Sequence, residues 1–152
     1  MKKTLTVLMT IIFFSNIAYA SENFLNKKFP TVSGTSLSGN DVTFPDDISG
    51  RVAVLSVAFK QKAQLCINTW ADELLPKYGI DQNVQYYEIP MLGGQWTMAR
   101  NWIDGGMQNG VPKPLHDFTV TYYGPLREYY KSLGISSKKS CSGSKLISSF
   151  IG

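Results

Sequence analysis

The chain has 152 residues, 43% of them hydrophobic and 17% charged, with a formal net charge of +4. That length suffices for one domain with a proper core. The basic excess falls from four to two once Lys2 and Lys3 are set aside, too little to argue for a nucleic-acid partner, and a single histidine cannot build a His-rich zinc site.

Lys2 and Lys3 precede an apolar run over residues 4–18, and Ala18-Tyr19-Ala20 has the small-x-small pattern of a signal-peptidase site. Residues 1–20 read as a signal peptide cut between Ala20 and Ser21, with the periplasm or the cell exterior as destination. An uncleaved anchor is the alternative, but the run of about 15 residues falls short of the roughly 18–20 that span hydrocarbon. Export brings an oxidising environment, in which Cys66 and Cys141 either form a disulfide or remain two unpaired thiols.

Residues 21–28 are a polar lead, and Phe29-Pro30 opens a domain expected to run over residues 29–135. Residues 36–44 read as a hairpin turned at Gly39-Asn40, with Leu37, Val42 and Phe44 facing inward. Asp46-Asp47 reads as a solvated turn, because no further carboxylates follow at ligand spacing. Residues 51–59 form a near-continuous apolar strand covered on both faces. A polar turn, Lys60-Gln61-Lys62, leads into a helix over 63–75 whose apolar bulk is Leu65, Trp70, Leu74 and Leu75 and whose end is Pro76.

Residues 83–90 are a second strand closed by Pro90. A helix over 95–107 follows, with Trp96, Ala99, Trp102 and Ile103 as its buried stripe. After a rigid Gly-Val-Pro-Lys-Pro loop, residues 118–123 form a third strand. A short helix then spans 126–133, with Pro125 at its first position and Gly134 just past its end. In the tyrosine doublets on strands, one ring points in and one out. Residues 136–152 read as a low-complexity, disordered tail. The alternation of strand and helix argues for an α/β domain with a largely parallel sheet flanked by helices.

Cys66 is the candidate catalytic residue. A helix N-terminus with Lys60 and Lys62 nearby lowers a thiol pKa, although Ala63 stands where peroxide reduction needs a threonine. The alternative is a structural thiol. His116 reads as an ordinary loop or strand-edge histidine. Gly93-Gly94 and Gly105-Gly106 lack the Lys-Ser/Thr of a phosphate loop. No cofactor and no metal are called for.

Phe29-Pro30, Leu37-Ser38-Gly39, Val57-Ala58-Phe59, Trp70, Trp102-Ile103, Gly110-Val111-Pro112, His116, Tyr122-Tyr123-Gly124 and Leu133-Gly134-Ile135 together resemble a thioredoxin-like domain. More narrowly, they are similar to the mitochondrial ATP synthase assembly factor family and its exported bacterial relatives. The resemblance covers roughly residues 29–135 and implies a thioredoxin-like α/β fold. It departs in two places. The redox pair would fall at Gln64 and Ile67, and Cys66 is at neither. The hairpin and helix that close such domains are not recognisable after Ile135, which reads as a truncated or divergent C-terminus. In the resembled fold the segment after Leu-Gly-Ile approaches the start of the first helix, which would let Cys141 reach Cys66. The expectation is an exported, redox-inactive module that binds a protein partner, a membrane-complex component, and assists its assembly. The competing expectation is a thiol-disulfide or peroxide-reducing enzyme using Cys66; a non-functional truncated product is a third.

Overall fold

A computed structural model describes residues 28–78 and 84–135, and residues 144–150 by their backbone. The leader over residues 1–20 and Cys141 lie outside the described residues. Six strands form one mixed sheet in the order β2-β1-β5-β4-β3-β6.

The hairpin is β1 (Val32–Ser36) and β2 (Asp41–Phe44), paired antiparallel from Val32↔Phe44 to Thr35↔Asp41. Its turn closes by Ser36 N–H donating to Asn40 O at 2.8 Å and Gly39 N–H to Ser36 O at 2.9 Å. Gly39 takes φ 94°, a left-handed conformation that a side chain would strain. β1 also pairs with β5 (Val120–Gly124). The two backbones approach so closely that a Cβ on Gly34 would meet Thr121 O at 2.6 Å.

β3 (Val52–Ala58), β4 (Val84–Gly93) and β5 make the parallel centre of the sheet. β3 pairs with β4 from Val52↔Val84 to Ala58↔Pro90, and β4 then pairs with β5 over Met91–Gly93. Pro90 therefore does not close the second strand. It sits at the handover, where β3 has reached its last residue and the main pairing with β5 begins, so the missing N–H interrupts little. Both rings of Tyr86-Tyr87 are buried, against the expectation of one in and one out, because β4 is central and covered on both faces. Tyr87 packs edge-on against Phe44 at 5.1 Å and tilted against Phe118 at 5.4 Å. With Val32, Ile48, Leu55, Val57, Ile89, Met91 and Val120, these rings form the main core. Each fully buried side chain of this size contributes about 1.5–3 kcal/mol.

The C-terminal stretch differs from its sequence reading. Ser144–Phe150 is a strand, β6, antiparallel to β3 from Ala58↔Ser144 to Val52↔Phe150. It lies at the sheet edge, where a Ser- and Lys-containing strand is tolerated. That composition is what made it look like a tail.

Helix α1 (Gln64–Tyr78) follows β3 and carries Pro76 in its last turn. A proline there removes one hydrogen bond two residues before the end, so the helix runs on rather than stopping. Helix α2 (Arg100–Gly110) follows β4 after a 3-10 segment over Gly94–Ala99. Helix α3 (Arg127–Ser132) follows β5. Pro125 precedes its first turn by two residues. Its end is a Schellman motif: Ile135 N–H donates to Tyr130 O at 2.9 Å and Gly134 N–H to Lys131 O at 3.1 Å, with Gly134 at φ 62°.

Candidate functional site: the β3–α1 junction and its groove

β3 delivers the chain to its C-terminal edge at Ala58, and Phe59, buried, stacks on Tyr130 of α3 at 4.4 Å. Lys60 is extended, Gln61–Ala63 form a 3-10 turn closed by Ala63 N–H donating to Lys60 O at 2.9 Å, and α1 begins at Gln64. Lys60 and Lys62 are exposed. The helical segment thus starts at Gln61, two residues before the expected start, and Cys66 is the third residue of α1. Cys66 is half-buried and is not a free thiol.

The junction docks on the sheet through Ala63 of the 3-10 turn and Ile67 of α1, which cluster with Ala58. These positions are four apart, on one stripe of the helical segment. Leu65, expected among the apolar bulk, is 77% exposed, and Trp70 is 51% exposed. The apolar bulk is there, but its two largest early members point away from the sheet. Leu74 and Leu75 are half-buried.

Under the start of α1, β4 places Glu88 opposite Ser56 of β3. Burial raises the Glu88 carboxyl pKa above the usual glutamate value, and a hydrogen bond from the Gln64 side chain holds it back in part. Tyr86, two residues earlier and so on the same face, has its hydroxyl pKa raised by burial, with Ser56 opposing and Glu88 adding to the rise. The signal in the sequence was a lone carboxylate inside an apolar central strand, Tyr86-Tyr87-Glu88-Ile89, and it was missed.

α2 is held by polar contacts. The Tyr123 hydroxyl donates to Asp104 Oδ1 at 2.8 Å, Arg100 Nε donates to Asp104 Oδ2 at 3.3 Å, and the Arg100 guanidinium lies 5.4 Å from the Tyr123 ring centre. The Gln108 side chain donates to Leu37 O at 2.7 Å. No residue of α2 is fully buried. Trp96 and Trp102, expected in a buried stripe, are 48% and 81% exposed. Both line a groove of 1910 Å³ between α1 and α2 whose floor includes Met91 and the glycines that end β4. Of the expected stripe, Trp96, Trp102 and Ile103 line this groove.

His116 Nε2 hydrogen-bonds Val111 O at 2.9 Å within a 3-10 segment over Lys113–Phe118, an ordinary loop role. Among the described residues, no group of three or more His, Cys, Asp or Glu could hold a metal ion, and no helix is long and apolar enough to cross a membrane.

No protein-family model matches the chain, and no curated protein matches it. Solved structures do. The C-terminal domain of a candidate thiol-disulfide oxidoreductase from Bacteroides thetaiotaomicron superposes with a TM-score of 0.52 at 18% identity, over 80% of this chain and 78% of that one. The thioredoxin domain of a thiol-disulfide oxidoreductase from Bacteroides vulgatus superposes with a TM-score of 0.51 at 12% identity, over 80% of this chain and 84% of that one. The fold is thioredoxin-like. An uncharacterized conserved protein from Geobacillus kaustophilus also matches, at 17% identity and a TM-score of 0.42, and there 71% of this chain spans 56% of the other. In this thioredoxin-like domain the junction after β3 reads Lys60-Gln61-Lys62-Ala63-Gln64-Leu65-Cys66-Ile67, with a single cysteine and no Cys-x-x-Cys.

Proposed function

We propose that this thioredoxin-like domain acts after export as a protein-binding module that assists assembly of its partner, without cycling electrons. The observation that carries the reading is the β3–α1 junction. A dithiol cycle there needs two cysteines in one turn of helix, and residues 60–67 hold one. Export rests on the leader over residues 1–20. A membrane-complex component as partner rests on the resemblance to ATP synthase assembly factors.

Cys66 has a structural role in this proposal, paired with Cys141. The β6 register supports the pairing: Ser144 sits opposite Ala58, at the edge from which α1 departs, and Cys141 is three residues earlier in the chain. A link closing about 75 residues of chain would stabilise the domain by about 4 kcal/mol on the chain-entropy account.

The competing reading makes Cys66 a nucleophile in disulfide or peroxide reduction, with Cys141 as its resolving partner. Insulin-disulfide and peroxide reduction assays on the purified chain separate the two. The proposal expects rates at the uncatalysed background. Turnover that disappears in Cys66→Ser would reject it and establish the enzyme.

A further inference from the structure

The groove between α1 and α2 has the chemistry of a receptor for a polypeptide strand. β3 stops at Ala58, opposite Pro90, while β4 continues to Gly93 with β5 paired on one side only. Beyond Pro90 the other side of β4 faces no strand among the described residues, and this stretch lines the groove. Unpaired main-chain groups at a strand edge are satisfied by adding another strand, which is how extended peptides are captured on sheets. The walls suit such a guest. Trp96 and Trp102 offer exposed indole faces for apolar side chains, and the carboxamides of Gln61, Asn68, Gln95 and Asn109 offer donors and acceptors for a peptide backbone.

Two further features fix what the guest looks like. Lys60, Arg127 and Lys131, all exposed, stand on the groove against Asp72 and the half-buried Glu88, so its exposed charge is predominantly positive. Gly105 and Gly106 also line it, in the interior of α2, where each glycine costs about 1 kcal/mol relative to alanine. A Cβ at either position would meet nothing within 4 Å. No packing within the described residues requires these glycines, whereas a chain lying against α2 would.

We infer that this groove binds an extended, apolar segment of a partner protein that carries acidic side chains, adding it as a short strand beside Met91–Gly93. The inference rests on the binding reading proposed above and names the partner chemistry of that reading.

The test is selection of short random displayed peptides on the full chain, with binding of the selected peptides measured by tryptophan fluorescence. Enriched sequences should be apolar with Asp or Glu. Their affinity should fall about tenfold when backbone amides are N-methylated, and about tenfold when acidic positions are changed to lysine. Gly106→Leu, which has room for its side chain, should abolish binding without lowering the thermal unfolding midpoint. Trp102→Ala should weaken binding about tenfold. Peptides that bind Gly106→Leu and wild type equally, or that tolerate N-methylation, would overturn the inference. So would enrichment of basic sequences, no enrichment, or a fluorescence response to anionic lipid vesicles alone. A thiol-turnover result would sink the non-cycling reading without moving any of these readouts, so the two failures remain distinguishable.

Discussion

The rotation of α1 about its axis decides what the junction presents, and it can be tested by two neighbouring substitutions with opposite expected outcomes. Ile67 is 1% exposed and packs with Ala58 and Ala63, whereas Leu65 is 77% exposed. Ile67→Ala removes three carbons, about 2.4 kcal/mol of transfer free energy at roughly 0.8 kcal/mol per methylene. A cavity term adds to this, because the cluster has two alanines that cannot collapse inward, giving about 3–4 kcal/mol in all. For a domain of this size that is a fall of roughly 12–20 °C in Tm. Leu65→Ala should stay within about 0.5 kcal/mol of wild type. Urea unfolding of both variants, with equal m-values, provides the measurement. A Leu65→Ala cost equal to or above that of Ile67→Ala would mean that α1 docks on another face, and the placement of Cys66 would fall with it.

Four further outcomes follow from the packing. Glu88 has a pKa raised by burial, so the neutral carboxyl favours the fold; that contribution is complete below the unfolded value near 4.5 and lost as pH rises through the folded pKa. Glu88→Gln should therefore be more stable than wild type at about pH 7 and indistinguishable from it below about pH 4 in urea titrations, and equal stabilities at both would refute the assignment. Tyr129 is pushed up to about 12, first by burial and then by the Tyr122 hydroxyl and Glu128, so its contribution is present below pH 10 and lost towards pH 12. Tyr129→Phe should flatten the alkaline limb of the stability profile, read by circular dichroism. Gly34→Ala drives a Cβ to 2.6 Å from Thr121 O and should cost about 1–3 kcal/mol by prising β1 from β5. Gly105→Ala, with open space around it, should gain about 0.5–1 kcal/mol.

The α/β class was legible from Val52-Ala53-Val54-Leu55, whose unbroken apolar run demands cover on both faces, and from the hairpin and helix punctuation at Gly39 and Gly134. What was not legible is which side of each helix meets the sheet. Leu65, Trp70, Trp96 and Trp102 are apolar at helical spacing, and periodicity alone treats them as core. Their exposure depends on tertiary geometry: the junction turns Ala63 and Ile67 towards the sheet, and α2 is tied down through Asp104 and Gln108. Edge strand β6 escaped because serine and lysine do not advertise a strand, and only its register with β3 reveals it. Pro76 and Pro90 both sit where a missing N–H does little harm, a circumstance that depends on which neighbour each would have bonded. The groove, likewise, is assembled from elements far apart in the chain.

The most direct measurement of the central claim counts electrons. Fully reduced chain, mixed with excess disulfide substrate and a continuous supply of dithiol reductant, should deliver at most one pair of electrons per molecule above background and then stop. Sustained substrate reduction in proportion to protein concentration, abolished in Cys66→Ser, would contradict the account.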